Sequence, residues 1–267
     1  MSTIMITGAT DGIGLATAEH LATLGHQLVL HGRNPVKLDA ARKAVEARRA
    51  GSVTATLIAD LSMLAEVDAL ADAAADLGLD VLINNAGVYH TDRPVTTDGL
   101  DVRFVVNTIA PYLLTRRLLP NLPPNGRVVN LSSAAQAPVD LRALAGDRRL
   151  GDGAAYAQSK LAIAMWTRHI ATEIGADGPV IVAVNPGSLL ATKMVREGYG
   201  IAGNDIRIGV DALTRAATGD EFAAASGRYF DNDSGRFASP HPDALDAGMN
   251  AALVAALDEQ IAALTSS

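Results

Sequence analysis

Short runs of β-branched and apolar residues alternate along the chain with longer segments rich in alanine and leucine. The short runs predict strands over Thr3–Thr7, Gln27–His31, Val53–Ile58, Val81–Asn84, Arg127–Leu131, Val180–Val184 and Arg228–Phe230. The segments between them predict helices over Gly12–Leu24, Pro35–Arg48, Leu64–Leu77, Leu100–Leu119, Ala154–Ile174 and Ile208–Ala217, with a final helix over Asp243–Leu264. The strands are apolar on both faces, the pattern of a parallel sheet covered by helices on each side. Glycine and proline punctuation ("HGRNP", "NLPPNG", "GADGP", "NPG") falls between these segments, where turns belong. No repeat, low-complexity tract or linker splits the chain. The expectation is one doubly wound α/β domain over residues 1–267, with seven parallel strands and helices on both faces.

Composition narrows the function classes. A chain of 267 residues, 49% hydrophobic and 19% charged, can bury a large core. A net charge of -7 and a pI near 5.3 argue against a nucleic-acid surface. The apolar stretches are too short to span a bilayer, and the start "MSTIMITGAT" lacks a secretory pattern, so a cytoplasmic protein without a membrane partner is expected. The absence of cysteine removes disulfide and thiolate chemistry.

The first strand runs through a glycine turn into a helix, "TIMITGATDGIGLATAEHLATLG". Gly8 allows the tight turn, Gly12 lets a phosphate approach the backbone, and Gly14 lets helix and strand pack closely. The helix N-terminus then offers free N–H groups and a partial positive charge to a pyrophosphate. The spacing is G-x-x-x-G-x-G, which differs from the commonest dinucleotide fingerprint.

With these glycines and the marks that follow them, the chain resembles the short-chain dehydrogenase/reductase family in its single-domain form. The cofactor motif is Thr7-Gly8-Ala9-Thr10-Asp11-Gly12-Ile13-Gly14. It is followed, in the family's order, by Asp60-Leu61, Asn84-Asn85-Ala86-Gly87, Asn107, "NLSS" at 130–133, Tyr156 with Lys160, and Asn185-Pro186-Gly187. The resemblance extends from residue 3 to the vicinity of Gly235 and implies a Rossmann-type fold. The long spacing before Tyr156, with "RVVNLSS", resembles the retinol-dehydrogenase-like and protochlorophyllide-reductase-like subgroup.

The chemistry centres on Tyr156 and Lys160, which lie four residues apart and share a helix face. A free phenol has a pKa of about 10, and a neighbouring ammonium lowers it toward working pH. Tyr156 can then exchange a proton with an alcohol or carbonyl while hydride moves to or from nicotinamide. An isolated Y-x-x-x-K is more often a half-buried tyrosine beside a surface lysine; the upstream motifs reverse that reading. Ser133, just past a strand's carboxyl end, can hydrogen-bond the substrate oxygen, and Ser132 turns inward. Pro111 has no N–H for the Asn107 carbonyl, which loses its helical partner. The resemblance implies that this carbonyl holds a water in a proton relay to Lys160.

The resemblance also implies cofactor contacts. Asp60 and Leu61 lie at the adenine, and Asn85, Ala86 and Gly87 lie against the ribose rings. Pro186 and Gly187 shape the nicotinamide pocket, and Thr192 sits near the carboxamide. NAD-specific relatives carry an aspartate at the end of the second strand, where this chain has Gly32 followed by Arg33. That exchange removes a repulsion and supplies a guanidinium for a 2′-phosphate, so NADP(H) is preferred and NAD(H) admitted. Asp11 counts the other way, since some NADP-preferring relatives carry a base there. The six histidines show no metal-ligand spacing, and no metal is expected.

Residues 134–155 are irregular and rich in proline, glycine and paired charges, which suits a lid, and 188–218 suits a substrate-pocket segment. The expected substrate is a small, mostly apolar alcohol or carbonyl compound, with Arg148 and Arg149 as potential anion receptors against it. Two other readings remain: a catalytically silent nucleotide-binding regulator, and a sugar-nucleotide epimerase or dehydratase. The resemblance implies pairing through the helices that follow Asn107 and Tyr156, which would give a homodimer or homotetramer, with a monomer also open given the long segment before Tyr156.

Overall fold

The computed structural model describes residues 1–265 and builds them around one twisted sheet. Its strands are β1 (Thr3–Ile6), β2 (Gln27–Gly32), β3 (Val53–Ile58), β4 (Val81–Asn84), β5 (Arg127–Leu131), β6 (Val180–Asn185), β7 (Tyr229–Asp231) and β8 (Arg236–Ala238). Their order is β3-β2-β1-β4-β5-β6-β7-β8, parallel from β3 through β7. The order reverses between β1 and β4, the position where open α/β sheets bind ligands at their carboxyl edge.

The sheet corrects the seven-strand expectation by one. β8 pairs antiparallel with β7, with Tyr229 opposite Ala238 and Asp231 opposite Arg236. It is a three-residue edge strand returned by a turn at Asn232–Gly235, where Gly235 has φ +67°.

The helices are α1 (Gly12–Thr23), α2 (Pro35–Arg48), α3 (Leu64–Ala75), α4 (Val102–Phe104), α5 (Ala110–Leu118), α6 (Leu141–Leu144), α7 (Asp152–Ile174), α8 (Lys193–Tyr199), α9 (Arg207–Thr218) and α10 (Ala247–Thr265). Alternate strand residues feed two cores. Ile4, Ile6, Leu28, Leu30, Val129 and Leu131 pack with α1, α2 and α9 on one face, while Met5, Val29, Leu82 and Val128 pack with α3, α5, α7 and α10 on the other. β3 departs from the both-faces expectation: at the sheet edge its residues alternate between half-buried and exposed, and Ile58 is exposed.

Three segments differ from the pattern-based reading. The predicted helix Leu100–Leu119 starts at Val102 and carries a π-helical turn, Val105–Ile109, between α4 and α5. Pro111 cannot donate to the Asn107 carbonyl, and the ladder shifts there, with the Ala110 N–H donating to the Val105 carbonyl. The stretch expected to be irregular contains α6, whose Ala143 and Leu144 are buried and whose N-terminus is capped by Asp140. The last predicted helix is broken: a 3₁₀ turn, Pro242–Leu245, precedes α10.

Candidate active site

The glycine turn at the end of β1 is fastened from three sides. The Thr7 hydroxyl accepts the N–H groups of Asn85 and Ala86 at 3.0 and 3.1 Å. Asn85 Nδ2 donates to the carbonyls of Thr7 and Gly8 at 2.8 and 3.1 Å. His31 supplies the third side: its carbonyl accepts the Ala9 N–H and its ring accepts the Gly8 N–H at 3.2 Å. Gly8 and Gly12 hold φ +65° and +55°, a region that favours glycine. A Cβ at Gly14 would stand 2.4 Å from both Asn85 Nδ2 and the Gly8 carbonyl oxygen, so only glycine allows this approach of α1 to β1. Above Gly12 the nearest atom to such a Cβ is the Thr192 methyl at 3.7 Å, which leaves a backbone cradle at the helix N-terminus. That cradle fits the pyrophosphate of a dinucleotide.

Other residues expected at the cofactor surround the cradle. The Asp11 carboxylate caps α1 by accepting the Gly12 N–H at 2.7 Å. A side chain at Gly32 would meet the Thr10 methyl at 2.4 Å, so the place expected for an aspartate is filled by Thr10. Arg33 follows, exposed and without a hydrogen bond or ion pair among the described residues. The Asp60 carboxylate closes a local turn by accepting the Ser62 N–H and hydroxyl at 2.9 and 2.8 Å, and Leu61 is buried beside it. Ile13 reaches Gly209 of α9.

The carboxyl ends of β4 and β5 meet α7. Lys160 is almost fully buried, and its Nζ donates to the Leu131 carbonyl at 2.7 Å and lies 5.6 Å from the centre of the Tyr156 ring. Burial without a carboxylate partner pushes its pKa down to about 7. The Ser132 hydroxyl turns inward and donates to the Lys160 carbonyl at 2.7 Å, which leaves Ser133 at the rim. Ser133 Oγ accepts the Ala135 N–H at 3.1 Å, and the Ser133 carbonyl accepts from the Tyr229 hydroxyl at 3.0 Å. The Asn107 side chain joins three elements: its Nδ2 donates to the Val88 carbonyl and the Ser159 hydroxyl, each at 3.0 Å, and its Oδ1 accepts the Val88 N–H at 2.8 Å. A methyl at Gly87 would stand 3.5 Å from Asn107 Oδ1 and 3.6 Å from Lys160 Nζ. The fold therefore brings Asn107 and Lys160, 53 residues apart in the chain, to Gly87, with the Tyr156 ring beside Lys160 and Ser133 just past β5.

The segment after β6 is tied to residues up to 46 positions away. Gly187 holds φ +123°, and its N–H is accepted by Asn185 Oδ1 at 3.2 Å. The Pro186 carbonyl accepts from Asn232, and the Asp233 carboxylate holds the Ser188 N–H at 2.8 Å. Thr192 is the N-cap of α8, its hydroxyl accepting the Val195 N–H at 3.3 Å, and this engages the group expected near a carboxamide. Met194 of α8 reaches the vicinity of Gly87. Arg148 is tied to Asp140 at 2.8 Å.

Several contributors escape motif reading. Tyr89 meets the Tyr156 ring edge-on, with centroids 5.1 Å apart. Arg103, buried between α4 and α7, binds Asp101 through two nitrogens at 2.8 and 2.6 Å and also binds Asp152, four residues before Tyr156. Asp152 in turn holds His90, raising the histidine pKa through that hydrogen bond. These partners are 49 and 62 residues apart, so no spacing could announce them. Among the described residues, no group of three or more histidine or carboxylate side chains could hold a metal ion.

Comparison with known proteins fits this geometry. The family model for short chain dehydrogenases matches residues 2–199. Bovine retinol dehydrogenase 12 is 35% identical over 202 residues, covering 73% of this chain and 64% of the relative, so the chain spans under two thirds of that protein. Human retinol dehydrogenase 13 is 31% identical over 267 residues, 91% of this chain and 80% of the relative. Among solved structures, an uncharacterised protein from Mycobacterium paratuberculosis superposes with a TM-score of 0.82 at 30% identity, over 98% of this chain and 93% of that one. The landomycin C-6 ketoreductase LanV, solved with bound NADP and rabelomycin, gives 0.68 at 25% identity, over 86% and 94%. The chain belongs to the short-chain dehydrogenase/reductase family, in its retinol-dehydrogenase-like subgroup.

Proposed function

We propose that this NAD(P)-dependent oxidoreductase moves hydride between NADP(H) and a small, mostly apolar alcohol or carbonyl compound, with Tyr156 as general acid and base. One observation carries the reading: Tyr156 shares a helix face with Lys160, whose buried Nζ lies 5.6 Å from the phenol ring at the carboxyl edge of the sheet. The bound nicotinamide supplies or accepts the hydride. Tyr156 gives its hydroxyl proton to the substrate oxygen in reduction and takes it back in oxidation. Ser133 orients and polarises that oxygen from the rim of β5. The Lys160 ammonium favours the phenolate, and the π turn at Asn107 leaves a carbonyl for a relay water. Residues 134–155 act as the lid and 188–218 as the pocket segment.

Arg33 supports NADP(H) over NAD(H): its guanidinium is unengaged among the described residues, and Thr10 fills the place of a competing aspartate. LanV, a relative with bound NADP, points the same way. A preference for neutral substrates rests on two further contacts. Arg148 is already paired with Asp140, and the cavity beside Ser133 is lined by Asp231 and Asp233, which would repel an anion. The last helix bears on assembly, because α10 packs along α7 and Asp258 accepts the Tyr112 hydroxyl at 2.7 Å. Part of the face expected to pair in a dimer is thus covered, which favours a monomer. No described helix is long and apolar enough to cross a membrane, and a cytoplasmic setting accompanies this reading.

Loss of NADPH absorbance with aldehydes, ketones and quinones tests the activity, and no consumption of NADPH or NADH with any of them would overturn it. For the cofactor, Arg33→Ala should weaken NADPH at least about tenfold and NADH little, because a charge-assisted contact is worth about 1.5–3 kcal/mol. Tighter NADH binding in the wild type would reverse the assignment.

A further inference from the structure

His31 lies in β2, outside every motif that announced the site, yet it touches both halves of the adenosine end. It is buried, with 2% of its surface exposed. Its Nδ1 lies 3.2 Å from the Gly8 nitrogen, and its Nε2 lies 3.0 Å from the Ala59 carbonyl oxygen. The Gly8 nitrogen is a donor and the Ala59 carbonyl an acceptor, so one form satisfies both: a neutral ring with its proton on Nε2. The His31 carbonyl adds a third tie by accepting the Ala9 N–H at 2.9 Å. One residue thus fixes the glycine turn to the segment leading into Asp60 and Leu61.

We propose that His31 is a positioning residue for the dinucleotide: its neutral ring sets the distance between the glycine cradle and the Asp60–Leu61 wall, and its protonation loosens the cofactor. A proton on Nδ1 would face the Gly8 N–H, donor against donor, and break that tie. The cradle would then lose a backbone support without losing any group that touches the substrate. Burial holds the ring's pKa below the ordinary histidine value, against the opposing pulls of the Ala59 hydrogen bond and the Asp60 charge. Asp60, at the end of β3, is the charge acting on the ring. Asp11 on the glycine turn, Arg33 after β2 and Glu66 of α3 are further ionisable groups nearby; Asp11 is engaged by the Gly12 N–H, Glu66 accepts the Asp60 N–H at 2.7 Å, and all three are exposed. The form required for cofactor binding is therefore present at neutral pH and is lost as the pH falls through the lowered pKa.

This inference rests on the dinucleotide reading above, and direct binding measurements separate the two. Dissociation constants for NADPH and NADH are measured by titration calorimetry for wild type, His31→Leu and His31→Asn, from pH 8 to 5.5. His31→Leu should weaken both dinucleotides about tenfold at pH 8, the worth of one buried hydrogen bond, with kcat at saturating cofactor unchanged. His31→Asn, whose amide oxygen can replace Nδ1 as acceptor for Gly8, should recover most of that loss. Wild-type affinity should fall with one proton taken up as the pH drops, while the His31→Leu profile lacks that proton. The 2′-phosphate of NADPH titrates in the same range, is common to both proteins and is absent from NADH. Equal affinities in wild type and His31→Leu, or identical pH profiles with NADH, would overturn the proposal while leaving the oxidoreductase reading intact. Failure of wild type to bind either dinucleotide would overturn both. If His31→Leu does not fold, the wild-type Gly8 amide resonance decides: it should shift with the titration of the His31 ring, and its invariance would sink the proposal.

Discussion

The two ends of the site are built on different principles. At the cofactor end the constraints come from the sheet itself: Thr7, Gly8, Gly12 and Gly14 lie in or beside the turn from β1 to α1, and His31 of β2 and Asn85, just past β4, reach it through direct hydrogen bonds. At the substrate end, Gly187–Thr192 is held by Asn204, Asn232 and Asp233 from distant loops, and Leu189 sits in the left-handed region at φ +52°. A dinucleotide presents the same phosphates and riboses to every enzyme that uses it, so a fixed backbone cradle serves. Substrates differ, and their pocket is made from loops that can vary without disturbing the sheet. Tyr156 and Lys160, the proposed catalytic pair, lie at the seam, on α7.

The largest expected effect falls on that seam and should leave both ends intact. Tyr156→Phe removes the proton-transfer group and keeps the ring that meets Tyr89 edge-on. Turnover should drop by about 10²–10⁴, the usual contribution of general acid–base catalysis. NADPH affinity and melting temperature should change little. Wild-type turnover would remove Tyr156 from the mechanism, and a large loss of affinity would show that the seam belongs to the cofactor end.

The same substitution at two glycines sharpens the contrast. Gly14→Ala forces a methyl to within 2.4 Å of the Gly8 carbonyl and Asn85 Nδ2, whereas a methyl at Gly151, where φ is -71°, meets nothing within 4 Å. Gly14→Ala should destabilise by about 2–3 kcal/mol through overpacking and weaken dinucleotide binding with it. At Gly151 the poorer N-cap and the stiffer unfolded chain oppose each other, so Gly151→Ala should change stability by less than about 1 kcal/mol. Thermal melts with and without NADPH read both. Equal responses would mean that the cofactor end tolerates the rearrangement the geometry forbids.

The difference between the ends also explains what the sequence made legible. The glycine turn, the NNAG segment and Tyr156 with Lys160 declare themselves because their chemistry needs fixed local spacings. Pro111 exposed the irregular helix at Asn107, although its form as a π turn depends on how the ladder resettles. β8 was missed because three residues, "RFA", show no periodicity; the turn residues Asn232–Gly235 before it are its only signal. His31 carries no spacing that marks it, since hydrogen bonding to Gly8 and Ala59 exists only once β1, β2 and β3 are side by side. The Arg103–Asp152–His90 chain is hidden for the same reason.

Lys160 yields a smaller effect with the opposite sign. Its folded pKa of about 7 lies below the ordinary 10.5, so the unfolded chain binds the extra proton between those values. Stability attributable to this group therefore rises with pH from about 7 to 10.5, and its burial costs most at pH 7 and below. Lys160→Met removes that cost but leaves the Leu131 carbonyl without its donor. A net stabilisation of about 1–3 kcal/mol at pH 7, fading toward pH 10, should accompany the loss of most activity. Melts across that range decide the point. Destabilisation at pH 7 would mean that the ammonium is better solvated than its burial implies.

The smallest expected effect concerns the strained residue at the substrate end. Leu189 is 41% exposed, and its carbonyl accepts the Asn204 N–H at 2.7 Å, a bond that fixes the turn whatever the side chain. A leucine in the left-handed region costs roughly 1–2 kcal/mol, and asparagine tolerates that region far better. Leu189→Asn should therefore stabilise the protein by less than about 1 kcal/mol, a rise of about 2–4 °C at this chain length. It also removes an exposed apolar side chain from the proposed pocket segment, so KM for an apolar carbonyl substrate should rise while the NADPH dissociation constant stays fixed. That pairing separates the two ends: relieving strain in the proposed pocket segment should leave the cofactor cradle unaffected. A drop in stability would show that Leu189 is held by packing, and an unchanged KM would take its side chain out of the pocket.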